Sequence, residues 1–76
     1  MNQKLSFLER LMLREMWRKY KNYPNNDESW WIQYGKNEKT SVENLSKLGF
    51  CEMGNYSGSR ITEKGIEESK EYLFGQ

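Results

Sequence analysis

Apolar positions recur at helical spacing in two stretches of this chain, and the stretches differ in width. Over 5–21, Leu5, Leu8, Met12 and Met16 form one stripe with Leu11 and Tyr20 beside it, while Phe7, Leu13 and Trp17 fall on another face. Ser6 followed by Glu9 makes a capping box, and neither Gly nor Pro interrupts the run, so a helix is predicted over 6–21. A surface helix needs only one apolar stripe. Carrying nearly two, this helix is either central to the core or in contact with a partner. The second face, Phe7, Leu13 and Trp17, together with Trp31, Tyr72 and Phe74, is the expected partner interface, with a two-fold homodimer as the expected assembly.

The turn-rich segment Asn22-Tyr23-Pro24-Asn25-Asn26 ends that helix. Asp27, Glu28 and Ser29 then open a short second helix over 27–34, ended by Gly35. Its content, Trp30-Trp31-Ile32-Gln33-Tyr34, is bulky, and a strand reading of the same residues stays open because they have high strand propensity. On a helix the two Trp side chains diverge by about 100°, so one should be core and the other exposed.

A third helix is predicted over 38–48, with Val42, Leu45 and Leu48 as its stripe. Thr40 with Glu43 offers a second capping box, and Asn37 an earlier start. Gly49 suits the left-handed residue that stops a helix. Phe50–Met53 and Ser59–Thr62 flank the loop Gly54-Asn55-Tyr56-Ser57-Gly58, a hairpin over 50–62 whose Gly and Asn can supply positive φ. Thr62 and Glu63 open a last helix over 63–74.

Leu48-Gly49-Phe50 followed by Ile61-Thr62-Glu63-Lys64-Gly65 resembles a signature of winged helix-turn-helix regulators of the antibiotic-resistance-repressor and phenolic-acid-repressor types. The resemblance covers roughly the second half of the chain. It implies an α+β winged helix-turn-helix: three helices, a β-hairpin wing and a C-terminal helix, in one domain spanning 1–76. It also implies that the third helix enters the major groove of double-stranded DNA while the wing touches the backbone. Asn37, Lys39, Thr40, Ser41, Asn44 and Lys47 on the helix, and Asn55, Tyr56, Ser57 and Arg60 in the wing, are the expected DNA contacts. Glu38 departs from the pattern, since those families carry an apolar residue there. Winged-helix domains, including those of phages and mobile elements, also serve as protein adaptors, which keeps a protein partner as the alternative.

Composition narrows the remaining classes. Hydrophobic residues make up only 36% of 76 positions, but aromatics supply 14%, which argues for a folded chain over a disordered one. Net charge is +1, with ten Lys and Arg against seven acids up to residue 62 and two against four beyond it, so the acidic part is the last helix. With no His and one Asp, the usual general bases and metal sets are lacking, and neither an enzyme nor a cofactor is expected. Cys51 is the lone cysteine and is expected in the core of a reduced, cytoplasmic protein. No apolar run approaches a membrane span, and the early one is broken by Glu9 and Arg10. The basic remainder of the first helix, Arg10, Arg14, Arg18, Lys19 and Lys21, reads as a solvated face.

Overall fold

The computed structural model describes residues 5–23 and 31–70. Along them run α1 (Phe7–Asn22), β1 (Ile32–Gln33), a 3₁₀ turn (Lys36–Glu38), α2 (Lys39–Lys47), β2 (Cys51–Met53), β3 (Gly58–Ile61) and α3 (Glu63–Lys70). The strands form one antiparallel sheet in the order β1-β3-β2, with Ile32 opposite Ser59 and Cys51 opposite Ile61. Among the described residues the fold is thus a small α+β arrangement of three α-helices and a three-stranded sheet.

The capping box of α1 forms as expected: the Glu9 amide donates to Ser6 Oγ at 3.1 Å, and the Ser6 amide donates to Glu9 Oε1 at 2.9 Å. α1 packs against α2, α3, β1 and β3. A helix with neighbours on so many sides needs a wide apolar arc, which accounts for its two stripes. Leu13, expected at a partner interface, is instead completely buried beside Met12 and Met16. Trp17 is half-buried against the same core, and Phe7, with 69% of its surface exposed, is left outside it. Tyr72 and Phe74 lie outside the described residues, as does Trp30.

The helix expected over 27–34 is corrected where the structure describes it. Ile32–Gln33 is an edge strand, and the Tyr34 amide extends the pairing by donating to the Ser57 carbonyl at 3.0 Å. β3 offers these residues ready backbone partners and a core site for Ile32, and their bulk suits a strand. Two helices therefore precede the hairpin among the described residues, where three were expected.

α2, Lys39–Lys47, falls within the 38–48 expected for it, and of the two starts it takes the earlier one rather than a Thr40 cap. Glu38 Oε1 accepts the Gly35 amide at 2.6 Å, so the chain winds through a 3₁₀ turn into the helix, and Thr40 lies inside the first turn without capping it. Glu38, the departure from the regulator pattern, thus has a local task. At the other end Gly49 has φ 87°, the Phe50 amide donates to the Leu45 carbonyl at 2.9 Å and the Gly49 amide to the Ser46 carbonyl at 2.9 Å. This is a Schellman stop, which satisfies the last carbonyls of the helix and turns the chain straight into β2.

Thr62 closes the base of the hairpin. Its amide donates to the Phe50 carbonyl at 3.1 Å, and its hydroxyl donates to the Gly49 carbonyl at 2.6 Å while accepting the Gly65 amide at 3.1 Å. One side chain therefore ties the end of α2 to the start of α3. Gly65 lets the two approach: a Cβ there would overlap the Phe50 carbonyl oxygen and press on Ile61.

Candidate functional site

Two surfaces were expected to act together, the outer face of α2 and the hairpin tip. On the first, Asn37, Lys39, Thr40, Asn44 and Lys47 are exposed and Ser41 is half-buried. Val42 and Leu45 point the opposite way into the core, which fixes the exposed side of the helix. Asn44 is already engaged, its Nδ2 donating to Glu9 Oε2 at 3.0 Å and so joining α2 to the start of α1. The exposed cations of this face are Lys36, Lys39 and Lys47.

At the tip, the Gly58 amide donates to the Asn55 carbonyl at 3.1 Å across Tyr56 and Ser57, both of which have φ 59°. Positive φ at both central residues defines a type I′ turn, whose twist matches that of the flanking strands. Glycine and asparagine were expected to supply that conformation, but it falls on Tyr56 and Ser57. A left-handed residue with a side chain costs on the order of 1–2 kcal/mol. Tyr56 is 89% exposed, so no packing of its ring offsets that strain.

Gly54 serves another purpose. A Cβ on it would come within 2.8 Å of the Trp31 ring, so its missing side chain is what admits the indole. Trp31 is half-buried, and Arg60 lies over it with the guanidinium carbon 4.9 Å from the ring centroid. Arg60 Nε also donates to Glu52 Oε1 at 3.0 Å, its cross-strand partner. A shallow groove of about 410 Å³ runs beside this stack, lined by Trp31, Gln33, Asn55 and Tyr56. Gln33 Nε2 donates to the Tyr56 carbonyl at 3.4 Å across it. The stack was missed from sequence, although the signal existed: a five-residue loop over 54–58 sets Glu52 opposite Arg60.

The structure therefore brings Asn55, Tyr56 and Ser57 together at an exposed tip and holds Arg60 behind them. A second and larger groove, about 960 Å³, lies between α1 and α3, with Trp17, Tyr20 and Ile66 in its walls and Glu63 and Lys64 among its charged edges. Cys51 is buried, its thiol directed to the Val42 carbonyl at 3.6 Å. Burial, and secondarily the charge of Glu52, push that thiol up to about 12, so it is neutral and unreactive at physiological pH. Among the described residues no three acidic or sulfur side chains converge to hold a metal ion, and no helix is long and apolar enough to cross a membrane.

Comparison with protein-family models, with curated proteins and with solved structures finds no match for this chain.

Proposed function

We propose that the protein is a DNA-binding module of winged-helix type, a regulator rather than an enzyme, that lays α2 in the major groove and sets the hairpin tip against the neighbouring backbone. The observation that carries this reading is the direct passage of α2 through the Gly49 stop into a hairpin with a polar tip, so that both elements present exposed donors. An α-helix fits the major groove, which is about 12 Å wide. Lys39 and Lys47 supply the phosphate contacts, Thr40 reaches base edges, and Asn55, Tyr56 and Ser57 meet the backbone. Arg60, committed to Glu52 and Trp31, supports the tip instead of binding phosphate itself.

The test is a titration of labelled random duplex at about 50 and 200 mM salt. The Lys39→Ala/Lys47→Ala pair should bind more weakly and lower the salt slope by roughly 0.9 per lost contact. Absence of wild-type binding at the lower salt rejects the reading. A protein-partner reading draws on the α1–α3 groove, where half-buried Trp17 and Tyr20 offer aromatic anchors. Trp17→Ala should then weaken association with the partner, with far-UV circular dichroism to show that α1 is retained.

A further inference from the structure

The surface facing away from the core on α1 has no part in the contacts described so far. Arg10, Arg14, Arg18 and Lys21 stand at positions i, i+4, i+8 and i+11, which places them on one exposed stripe roughly 16 Å long. Like charges at this spacing oppose one another and weaken the helix that carries them. The acids of α1 do not offset them evenly. Glu9 is committed to Ser6 and Asn44, and Glu15 borders the stripe on one flank only.

The choice of cation is informative. The chain has eight Lys and four Arg, yet three of the four Arg fall on this stripe, and the fourth, Arg60, is held by Glu52. Lysine carries the same charge, but only the planar guanidinium fork grips an oxyanion at two points. Regular spacing along a helix suits a linear polymer of oxyanions. A membrane surface fits poorly, because an interfacial helix needs a free apolar face. Here Met12, Leu13 and Met16 spend that face on the core, and Phe7 is the one large apolar side chain of α1 left more than half exposed.

We infer that the α1 stripe is a second nucleic-acid contact, in which Arg14 and Arg18 clamp successive phosphates of a DNA backbone. Arg10 also interacts with a neighbouring group and Lys21 lies over the Trp17 ring, 5.4 Å from its centroid, so the two central arginines carry the site. The inference builds on the DNA-binding reading and extends it: one copy would engage duplex both through α2 and the tip and through the back of α1, allowing it to bridge two segments.

Titrating labelled random duplex over a range of salt with Arg14→Gln/Arg18→Gln and with Arg14→Lys/Arg18→Lys tests this, with far-UV circular dichroism to show that α1 is retained. The glutamine pair should lower the salt slope by about 2. The lysine pair should keep the slope and still bind more weakly, since charge remains and the fork is lost. Wild-type protein should also join two duplexes carrying different dyes, and the glutamine pair should not. If the glutamine pair matches wild type while Lys39→Ala/Lys47→Ala is weakened, the stripe is idle and the α2 reading stands. If the wild type binds no duplex, both fall. Arginine-dependent capture by anionic phosphatidylserine vesicles without duplex binding would overturn the inference in favour of lipid.

Discussion

The two ends of the hairpin are built on opposite terms. At its base, Gly49, Phe50, Thr62 and Gly65 share three hydrogen bonds and a backbone contact too close for any side chain, and glycine stands where left-handed φ or close approach demands it. At its tip the left-handed positions are occupied by Tyr56 and Ser57, which gain no burial in return. One end is optimised for stability and the other is not, although a better turn pair, Asn-Gly, is chemically simple. Strain held at an exposed polar tip is what the proposed contact with DNA would account for.

Gly65→Ala is the largest expected break in that comparison. Helix propensity alone favours alanine by about 1 kcal/mol. The overlap with the Phe50 carbonyl should reverse the sign and leave a net loss of about 2 kcal/mol or more. For a domain of this size that is a fall in Tm of roughly 10 °C, readable by thermal melts. A rise in Tm would show that α3 can move away from the hairpin and that the base is not fixed. The smaller effect runs the other way. Tyr56→Asn/Ser57→Gly should relieve the turn and stabilise by about 1 kcal/mol, while weakening duplex binding through loss of the tip side chains. Unchanged binding in this variant would remove the tip from the site.

Local signals in the sequence were read well. The Ser6–Glu9 box, the Gly49 stop, the hairpin over 50–62 and the start of α3 at Glu63 each depend on residues within a few positions of one another. Most of the failures share a non-local cause. Of the two readings left open for Trp31-Ile32-Gln33-Tyr34 the strand prevails, and Ile32-Gln33 becomes strand because β3, some 25 residues later, is there to pair with it. Gly54 is needed by Trp31, and the turn centres on Tyr56 and Ser57, so the positive φ falls on residues that are not glycine. Leu13 is buried because α1 has four packing partners, a fact its own periodicity could state only as a surplus of apolar residues. Thr40 lost its cap to Glu38, which reaches back to the Gly35 amide at capping-box spacing without the Ser or Thr that usually signals the box. Of the expected contacts, exposure follows for Asn37, Lys39, Thr40, Lys47, Asn55, Tyr56 and Ser57, while Ser41 is half-buried. Asn44 and Arg60 were drawn into bonds with acids far away in sequence or across the strand.

The Thr62 clasp also bears on the order in which the chain assembles. Its bonds to Gly49 and Gly65, and those of the Gly49 stop, link residues no more than 13 apart. Closing such short loops restricts the chain little, so α2, the hairpin and the first turn of α3 can form a nucleus on their own. Docking of β1 brings together residues 23 apart, as in the Tyr34–Ser57 bond, and should follow. In pulse-labelled hydrogen exchange during refolding, the Phe50 and Ile66 amides should gain protection before that of Tyr34. Protection of Tyr34 first would place nucleation on the sheet edge. In that order, the surface proposed to meet DNA takes shape before the edge strand that brings Trp31 beneath its tip, so the wing is finished only after the helix it flanks.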